Sequence, residues 1–210
     1  LKKSKADIIC LQEFFIDDKE NIRNYFNTNF QDYNAEYYVY SGKNGFFGNV
    51  TLSRYPVVKK GVFNFEKSSN LAIYTDLKIY DKVWRLYNCH FESYNISLSH
   101  LASRIVKDKK VVLETEQKIK KSISIRPRQV EQIMQDIEKS PLGTIVVGDF
   151  NDTPMSYTYF RLTKGKKDSF VEAGNGFGAS YSALWPTLRI DYILYPNYLK
   201  AVFHSVPKVK

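Results

Sequence analysis

The chain has 210 residues, of which 43% are hydrophobic and 25% charged, as is ordinary for one globular domain with a sizeable core. No apolar run approaches the roughly 20 residues that span a bilayer, which excludes a membrane-spanning helix within this sequence. The two cysteines, Cys10 and Cys89, exclude a disulfide framework and a zinc site, and both are interpreted as buried free thiols.

The formal net charge of +9 is concentrated in one part of the sequence. Residues 101–130 hold nine Lys or Arg and three Asp or Glu, and so carry +6 of the total. We interpret residues 93–128, approximately, as a basic insertion on one face of the domain. Such a segment can neutralise phosphates of nucleic acid or of an anionic membrane surface. The alternative is a solvated insertion whose charges only keep it soluble.

Apolar and alternating runs predict strands, and several of them lead to polar side chains. The first predicted strand, residues 6–13, ends at Glu13, and an alternating run over residues 82–89 leads to His90. A helix is predicted over residues 127–139, because apolar side chains recur there at helical spacing. The other predicted elements are a helix within 17–30, strands at 37–40, 50–53 and 71–79, and a helix that begins near 156.

Residues 144–154, Thr-Ile-Val-Val-Gly-Asp-Phe-Asn-Asp-Thr-Pro, are the most informative part of the sequence. They predict a buried strand that is stopped by a proline. Asp149 and Asn151 are two residues apart, so in an extended segment their side chains point to the same face. A carboxylate beside a carboxamide suits a hard divalent cation and a phosphoryl group. The alternative is an Asx-rich turn without catalytic chemistry.

One further carboxylate, Asp191, lies within the strand-like run 189–194, where an isolated buried charge would be costly. The order Leu-Gln-Glu, Leu-Ser-Arg-Tyr-Pro, Asn-Cys-His, Gly-Asp-Phe-Asn-Asp, Arg-Ile-Asp-Tyr-Ile-Leu resembles the endonuclease/exonuclease/phosphatase superfamily, which has the DNase I-like fold. The resemblance runs from about Asp7 to Leu194. It implies an α/β fold, a four-layer sandwich of two mixed β-sheets flanked by helices.

The resemblance also implies roles for individual residues. Glu13 matches a ligand of Mg²⁺ or Mn²⁺. Asp149 and Asn151 match the pair that positions the attacking water and contacts the scissile phosphate. His90 matches a histidine that contacts the phosphate or assists the leaving group. Arg54 matches a substrate-binding arginine of the DNase-like members, although a structural salt bridge is an equal alternative for it.

Asp191 resembles the carboxylate that orients an essential histidine in a terminal Ser-Asp-His segment. Neither that segment nor the family's first strand, with its asparagine, is found in residues 1–210, and His204 lies in Phe-His-Ser and is a poor substitute. We therefore expect one endonuclease/exonuclease/phosphatase domain over residues 1–210 that lacks both segments. A chain truncated in this way is expected to be nearly inactive.

The predicted function is metal-dependent phosphohydrolysis, with phosphodiester bonds and nuclease-like substrates favoured. The alternatives are a lipid or small-molecule phosphodiesterase or phosphatase of the same fold, and a non-catalytic module that binds polyanions. Similar sequences look like bacterial domains attached to membrane helices. That likeness implies a soluble domain with a membrane tether outside these residues, and it makes anionic lipid an alternative partner of the basic insertion. The sequence assigns no compartment and no oligomeric state.

Overall fold

The computed structural model describes residues 5–94, 109–181 and 188–207. These residues form nine strands and four α-helices, and the strands make up one sheet of three and one of six. The predicted class, mixed α/β with two sheets, is confirmed. The chain divides into two compact units, Leu1–His90 with Lys139–Asp149 and Phe91–Glu138 with Phe150–Lys210. The single functional domain predicted over residues 1–210 stays a prediction.

The first unit contains the smaller sheet, which has the order β1-β3-β2 and is antiparallel throughout. A short 3₁₀ turn and helix α1 follow β1 and cover one face of this sheet. Ile22 and Phe26 of the helix pack on Ile9, Val50 and other apolar side chains of the strands. The bounds are β1 Ile8–Ile16, α1 Ile22–Asn29, β2 Asn34–Gly42 and β3 Gly45–Ser53.

Four strands of the larger sheet also belong to the first unit, in the order β4-β5-β6-β7. The first two pairings are antiparallel, whereas β6 and β7 run parallel, so this sheet is mixed. β1 and β3 lie against β5 and β6, which gives a sheet-on-sheet core within the unit. The bounds are β4 Val57–Asn64, β5 Leu71–Ile79, β6 Lys82–His90 and β7 Gly143–Asp149.

The second unit is built around aromatic packing. Phe150 stacks on Tyr192 with ring centroids 4.7 Å apart and contacts Phe91 at 5.4 Å. β8 and β9 pair antiparallel. None of the helices that the structure describes is long and apolar enough to cross a membrane. The bounds are α2 Lys109–Lys139, whose last residue is assigned to the first unit, α3 Tyr157–Leu162, β8 Lys166–Asp168, α4 Ser169–Ala173 and β9 Asp191–Pro196.

Helix α2 differs from its prediction because it begins 18 residues before Pro127, the residue at which the predicted helix started. A proline inside a helix removes one hydrogen bond, which is why the sequence favoured a helix start there. Ten of the 18 residues from 109 to 126 are Lys, Arg, Glu, Gln or Leu, which are strong helix formers. They also supply an i, i+4 ion pair between Glu116 and Lys120.

The basic insertion is therefore helical in residues 109–128, whereas residues 95–108, with Arg104 and Lys107, lie outside the described ranges. One of its charges does not lie on the surface as predicted. Arg126 is 1% exposed and its Nη1 is 2.7 Å from Asp152 Oδ2. It is buried because Asp152 and the carbonyl of Glu92, 2.9 Å from Nε, replace water around the guanidinium.

Candidate active site

The candidate site includes a β-bulge in β1, which carries Glu13. Leu11 pairs with Val50 and Phe14 pairs with Gly48, so two residues of β1, Gln12 and Glu13, face a single residue of β3. Glu13 has a φ of 53°, which is uncommon for a residue with a side chain. A bulge breaks the alternation of the strand and redirects a side chain. The Glu13 side chain is 74% exposed.

His90 and Asp149 lie beside each other at the ends of two parallel strands. They are register partners on β6 and β7, and neighbouring strands are about 4.8 Å apart. His90 Nε2 is 3.7 Å from Glu13 Oε1 and, among the residues that the structure describes, has no hydrogen-bond partner. The first unit thus brings together three of the predicted site residues.

Burial lowers the pKa of His90, and the nearby Glu13 carboxylate opposes this shift only in part. The folded protein therefore favours the neutral imidazole. A neutral imidazole carries one N–H donor and one acceptor nitrogen, so it can donate a hydrogen bond without placing a buried positive charge in the site.

This lowered pKa predicts how stability depends on pH in metal-free buffer. Below the ordinary histidine pKa of about 6.5, the unfolded chain binds a proton that folded His90 does not. The free energy of unfolding should therefore fall as the pH drops from about 6.5, with a slope of at most about 1.4 kcal/mol per pH unit for this one group. Urea unfolding between pH 7.5 and 5 measures the slope.

The variant His90→Gln should show a shallower slope than the parent protein over the same range. Burial also lowers the pKa of His204, so His204→Gln is measured in parallel to subtract its share. An identical slope in the parent protein and His90→Gln would contradict the assignment of a neutral, buried His90.

Gly148 explains how β6 and β7 come close enough to align His90 with Asp149. Its φ is 134°, and a Cβ at this position would lie 2.0 Å from the carbonyl oxygen of Cys89, its register partner. No side chain fits that gap. The glycine before Asp149 is therefore a requirement of the strand pairing.

Arg54 is placed away from these three residues. It follows Ser53, which pairs with Ile8, five residues before Glu13 on β1. At about 3.3 Å per residue this is a separation of roughly 15 Å along the strand. Its Nη1 lies 3.5 Å from Asp7 Oδ1 and its guanidinium lies over the Tyr33 ring at 5.0 Å. These contacts fit the structural alternative for Arg54.

In the second unit, the two residues after Phe150 have different surroundings. Asn151 has a φ of 50°, and its Nδ2 donates to the carbonyl of Phe91 at 2.9 Å, which fixes one orientation of the carboxamide. Asp152 pairs with Arg126 and accepts from Thr158 Oγ1 at 2.9 Å. Asp152 thus anchors the turn that presents Asn151.

The sequence suggested that Asp191 is a buried carboxylate within a strand. This prediction was wrong, because Asp191 is the first residue of β9 and is exposed. Its side chain is therefore not an isolated buried charge. Its backbone N–H and that of Ile190 both donate to Ser180 Oγ at 3.1 Å, which fixes the start of the strand.

The family model described as "Endonuclease/Exonuclease/phosphatase family" matches residues 1–104 and 122–209 of the chain. The chain belongs to this endonuclease/exonuclease/phosphatase family. The family is one of hydrolases that act on phosphate esters, which is the general class predicted from the motifs. A search of curated protein sequences finds no match.

Solved structures share the fold of this chain at low sequence identity. The chain is similar to the family protein from Leptotrichia buccalis, with 17% identity over 95% of this chain and 78% of that one and a TM-score of 0.62. The chain is also similar to the human Nocturnin catalytic domain with bound sulfate anion, with 15% identity over 91% of this chain and 69% of that one and a TM-score of 0.61. For truncated TDP2 from Caenorhabditis elegans, the identity is 18% over 92% of this chain and 72% of that one, and the TM-score is 0.58.

Enzymes of this family generally use a divalent cation, and the exposed carboxylate of Glu13 is the candidate ligand for it here. Among the residues that the structure describes, no three or more His, Cys, Asp or Glu side chains are grouped so that they could hold a metal ion together. Mg²⁺ usually keeps several waters and takes one or two protein carboxylates. The exposed Glu13 carboxylate, with no hydrogen-bonded protein partner within 3.5 Å among the contacts described, fits this type of site.

The sequence did not indicate that two buried asparagines, Asn88 and Asn49, support the positions of Glu13 and His90. Asn88 is completely buried and its Oδ1 accepts from Gln12 Nε2 at 2.6 Å. Asn49, which faces the bulge, donates to the backbone of β6. One signal was present in the sequence: Asn88 precedes His90 by two residues, so the two side chains belong to the same face of β6.

Proposed function

We propose that the full-length protein hydrolyses phosphodiester bonds with the help of Mg²⁺ or Mn²⁺, and that nucleic acid is its favoured substrate. The observation that carries the proposal is the convergence of Glu13, His90 and Asp149 at the ends of β6 and β7 and at the bulge of β1. Family membership supports the hydrolysis of phosphate esters in general.

Each of these residues has a task that its surroundings permit. Glu13 presents a hydrated carboxylate that would hold the cation, and the bound cation would polarise the phosphoryl oxygens. His90 is neutral and buried, and its Nε2 lies 3.7 Å from Glu13 Oε1, so we propose that it donates a hydrogen bond to a phosphoryl oxygen or to the leaving group of a substrate held at Glu13. The Asp149 carboxylate orients the attacking water and accepts its proton.

Residues of the second unit keep the roles that the family resemblance implies. We propose that Asn151 contacts the scissile phosphate and that Asp191 orients a terminal histidine. Arg54 is left out of the reacting group, because its contacts are those of a structural ion pair with Asp7.

The favoured partner follows from charge. The exposed side chains of α2 include Lys121 and Arg128, and the chain carries a net charge of +9. A basic surface gathers polyanions and makes their binding dependent on salt. Nucleic acid is therefore the favoured partner. Anionic lipid headgroups are the alternative partner, and the assay must distinguish between the two.

The test is hydrolysis of bis-p-nitrophenyl phosphate, plasmid DNA and sphingomyelin vesicles by the full-length protein with Mg²⁺ or Mn²⁺. We expect metal-dependent nicking of the plasmid and slower turnover of the small diester. Glu13→Gln should lower turnover by about 10²-fold or more, because it removes the carboxylate that would hold the cation. Glu66→Gln, an exposed glutamate of the same unit, should leave it unchanged.

Titration with Mn²⁺ separates the metal from the chemistry. The parent protein and Glu66→Gln should show one weak site that is missing in Glu13→Gln. Turnover of sphingomyelin alone would replace nucleic acid by lipid as the substrate. DNA binding without turnover of any substrate would replace the enzyme by a polyanion-binding module.

A further inference from the structure

Asn88 makes several side-chain hydrogen bonds near the proposed site, although it is too deeply buried to touch a substrate. It is 0% exposed. Its Nδ2 donates to the carbonyl of Val50 at 2.9 Å, with longer contacts to the Leu11 carbonyl at 3.3 Å and Thr51 Oγ1 at 3.4 Å. Its Oδ1 accepts from Gln12 Nε2 at 2.6 Å. A side chain of β6 therefore holds both β1 and β3 of the facing sheet.

The orientation of this carboxamide is fixed by its neighbours. Rotating it by 180° would set Oδ1 against two backbone carbonyls, those of Val50 and Leu11, and would leave Gln12 Nε2 facing another N–H group. Only the observed orientation satisfies all of these groups, and a buried donor or acceptor without a partner is costly.

A second buried carboxamide reaches across in the opposite direction. Asn49 of β3 is 1% exposed, and its Nδ2 donates to the carbonyls of Asn88 at 3.0 Å and Leu71 at 3.1 Å. Asn49 is also the single residue of β3 that faces the two-residue bulge. The two asparagines thus join the sheets of the first unit next to the bulge that carries Glu13.

The bulge depends on such support. Glu13 has a positive φ, and residues in this conformation persist where the surrounding structure holds them. Asn88 contacts the backbone of Leu11 and the side chain of Gln12, which are the two residues immediately before Glu13. Two residues further along β6, His90 lies 3.7 Å from the Glu13 carboxylate. Strand β6 therefore carries both Asn88, which contacts the bulge, and His90, which lies beside the Glu13 carboxylate.

We propose that Asn88, acting through Gln12 and paired with Asn49, is the positioning residue that fixes the β1 bulge and aims the Glu13 carboxylate. The proposal deepens the proposed function and rests on it for its catalytic consequence. The geometric part, that Asn88 and Gln12 hold the bulge, stands on the hydrogen bonds alone.

Two substitutions test the proposal with little change in side-chain volume. Asn88→Asp replaces the Nδ2 donor by an oxygen that faces the carbonyls of Val50 and Leu11. Gln12→Met keeps the length of the side chain and removes only the bond to Asn88, so it serves if Asn88→Asp does not fold. The matched control is Asn34→Ala, because Asn34 Nδ2 also bonds backbone carbonyls, those of Ser53 and Tyr55, but at the far end of β3.

Two measurements on the full-length protein provide the readout. Calorimetric titration with Mn²⁺ should show affinity lowered by about tenfold or more in Gln12→Met and Asn88→Asp, since residues that orient metal ligands typically contribute 10–100-fold. Hydrogen exchange should accelerate at the amides of residues 12–14 in both variants. In Asn34→Ala the Mn²⁺ affinity and the exchange of residues 12–14 should match the parent protein.

The outcomes separate this inference from the proposed function. Unchanged exchange at residues 12–14 in Gln12→Met overturns the positioning role, whatever the metal does. Accelerated exchange with unchanged Mn²⁺ affinity also overturns it, because the bulge would then not aim the metal-binding carboxylate. If the parent protein binds no Mn²⁺, the proposed function fails, while accelerated exchange confined to residues 12–14 upholds the geometric part.

Discussion

Replacing Asp149 by asparagine should lower kcat/KM for bis-p-nitrophenyl phosphate by about 10²–10⁴-fold, the range that positioned proton transfer contributes. Asp149 ends β7 as the register partner of His90, and an amide at this position cannot accept a proton from water. Asparagine has nearly the same size as aspartate, so the strand end should keep its shape. The assay measures initial rates with Mn²⁺ at several substrate concentrations.

The matched control for this substitution is Asp81→Asn. Asp81 lies in the exposed turn between β5 and β6 of the same unit, and its substitution should leave both kinetic constants unchanged. If Asp149→Asn retained turnover within about threefold of the parent protein, Asp149 would not accept the proton, and the water would have to be activated elsewhere in the site.

Replacing Gly148 by alanine should lower the free energy of unfolding by at least about 2 kcal/mol, from the strained conformation together with the steric overlap. The added Cβ would lie 2.0 Å from the Cys89 carbonyl oxygen, and the φ of 134° is unfavourable for alanine. Relief requires β6 and β7 to separate, which would also displace His90 from Asp149. Urea unfolding measures the stability, and the diester assay measures the effect on the site.

Gly165→Ala provides the matched control. Gly165 also has a positive φ, 73°, but no atom of the described residues, apart from its own chain neighbours, lies within 4 Å of the position that an added methyl group would occupy. It should therefore lose only the roughly 1–2 kcal/mol that a left-handed backbone costs a residue with a side chain. Equal destabilisation in the two variants would contradict the close approach of β6 and β7 as the reason for Gly148.

The linear pattern predicted most of the elements that carry the site. The apolar runs before Glu13, His90 and Asp149 are β1, β6 and β7, and the order of their motifs predicted the family that the family model then confirmed. Such patterns succeed because burial imposes a period on each segment by itself. Helix α2 was partly missed, since Pro127 suggested a start where the helix in fact continues.

Contacts between distant segments were not predictable in this way. Arg126 was interpreted as part of a basic surface, but Asp152 and the Glu92 carbonyl bury it. Asp191 was expected within a buried run and is exposed. In both cases the local sequence is compatible with either environment, and the decision depends on which remote side chain packs against it.

The sequence by itself determined the family, the strands that carry Glu13, His90 and Asp149, and the class of chemistry that these side chains permit, although β1 continues past Glu13 to Ile16 instead of ending there as predicted. Only the tertiary structure decided that β1 bulges at Glu13, that Asn88 and Asn49 join the two sheets beside this bulge, and that Arg54 lies next to the opposite end of β1. The physical reason is that hydrophobic periodicity acts along one segment, whereas register, bulges and buried hydrogen bonds arise only when segments far apart in the chain are packed together.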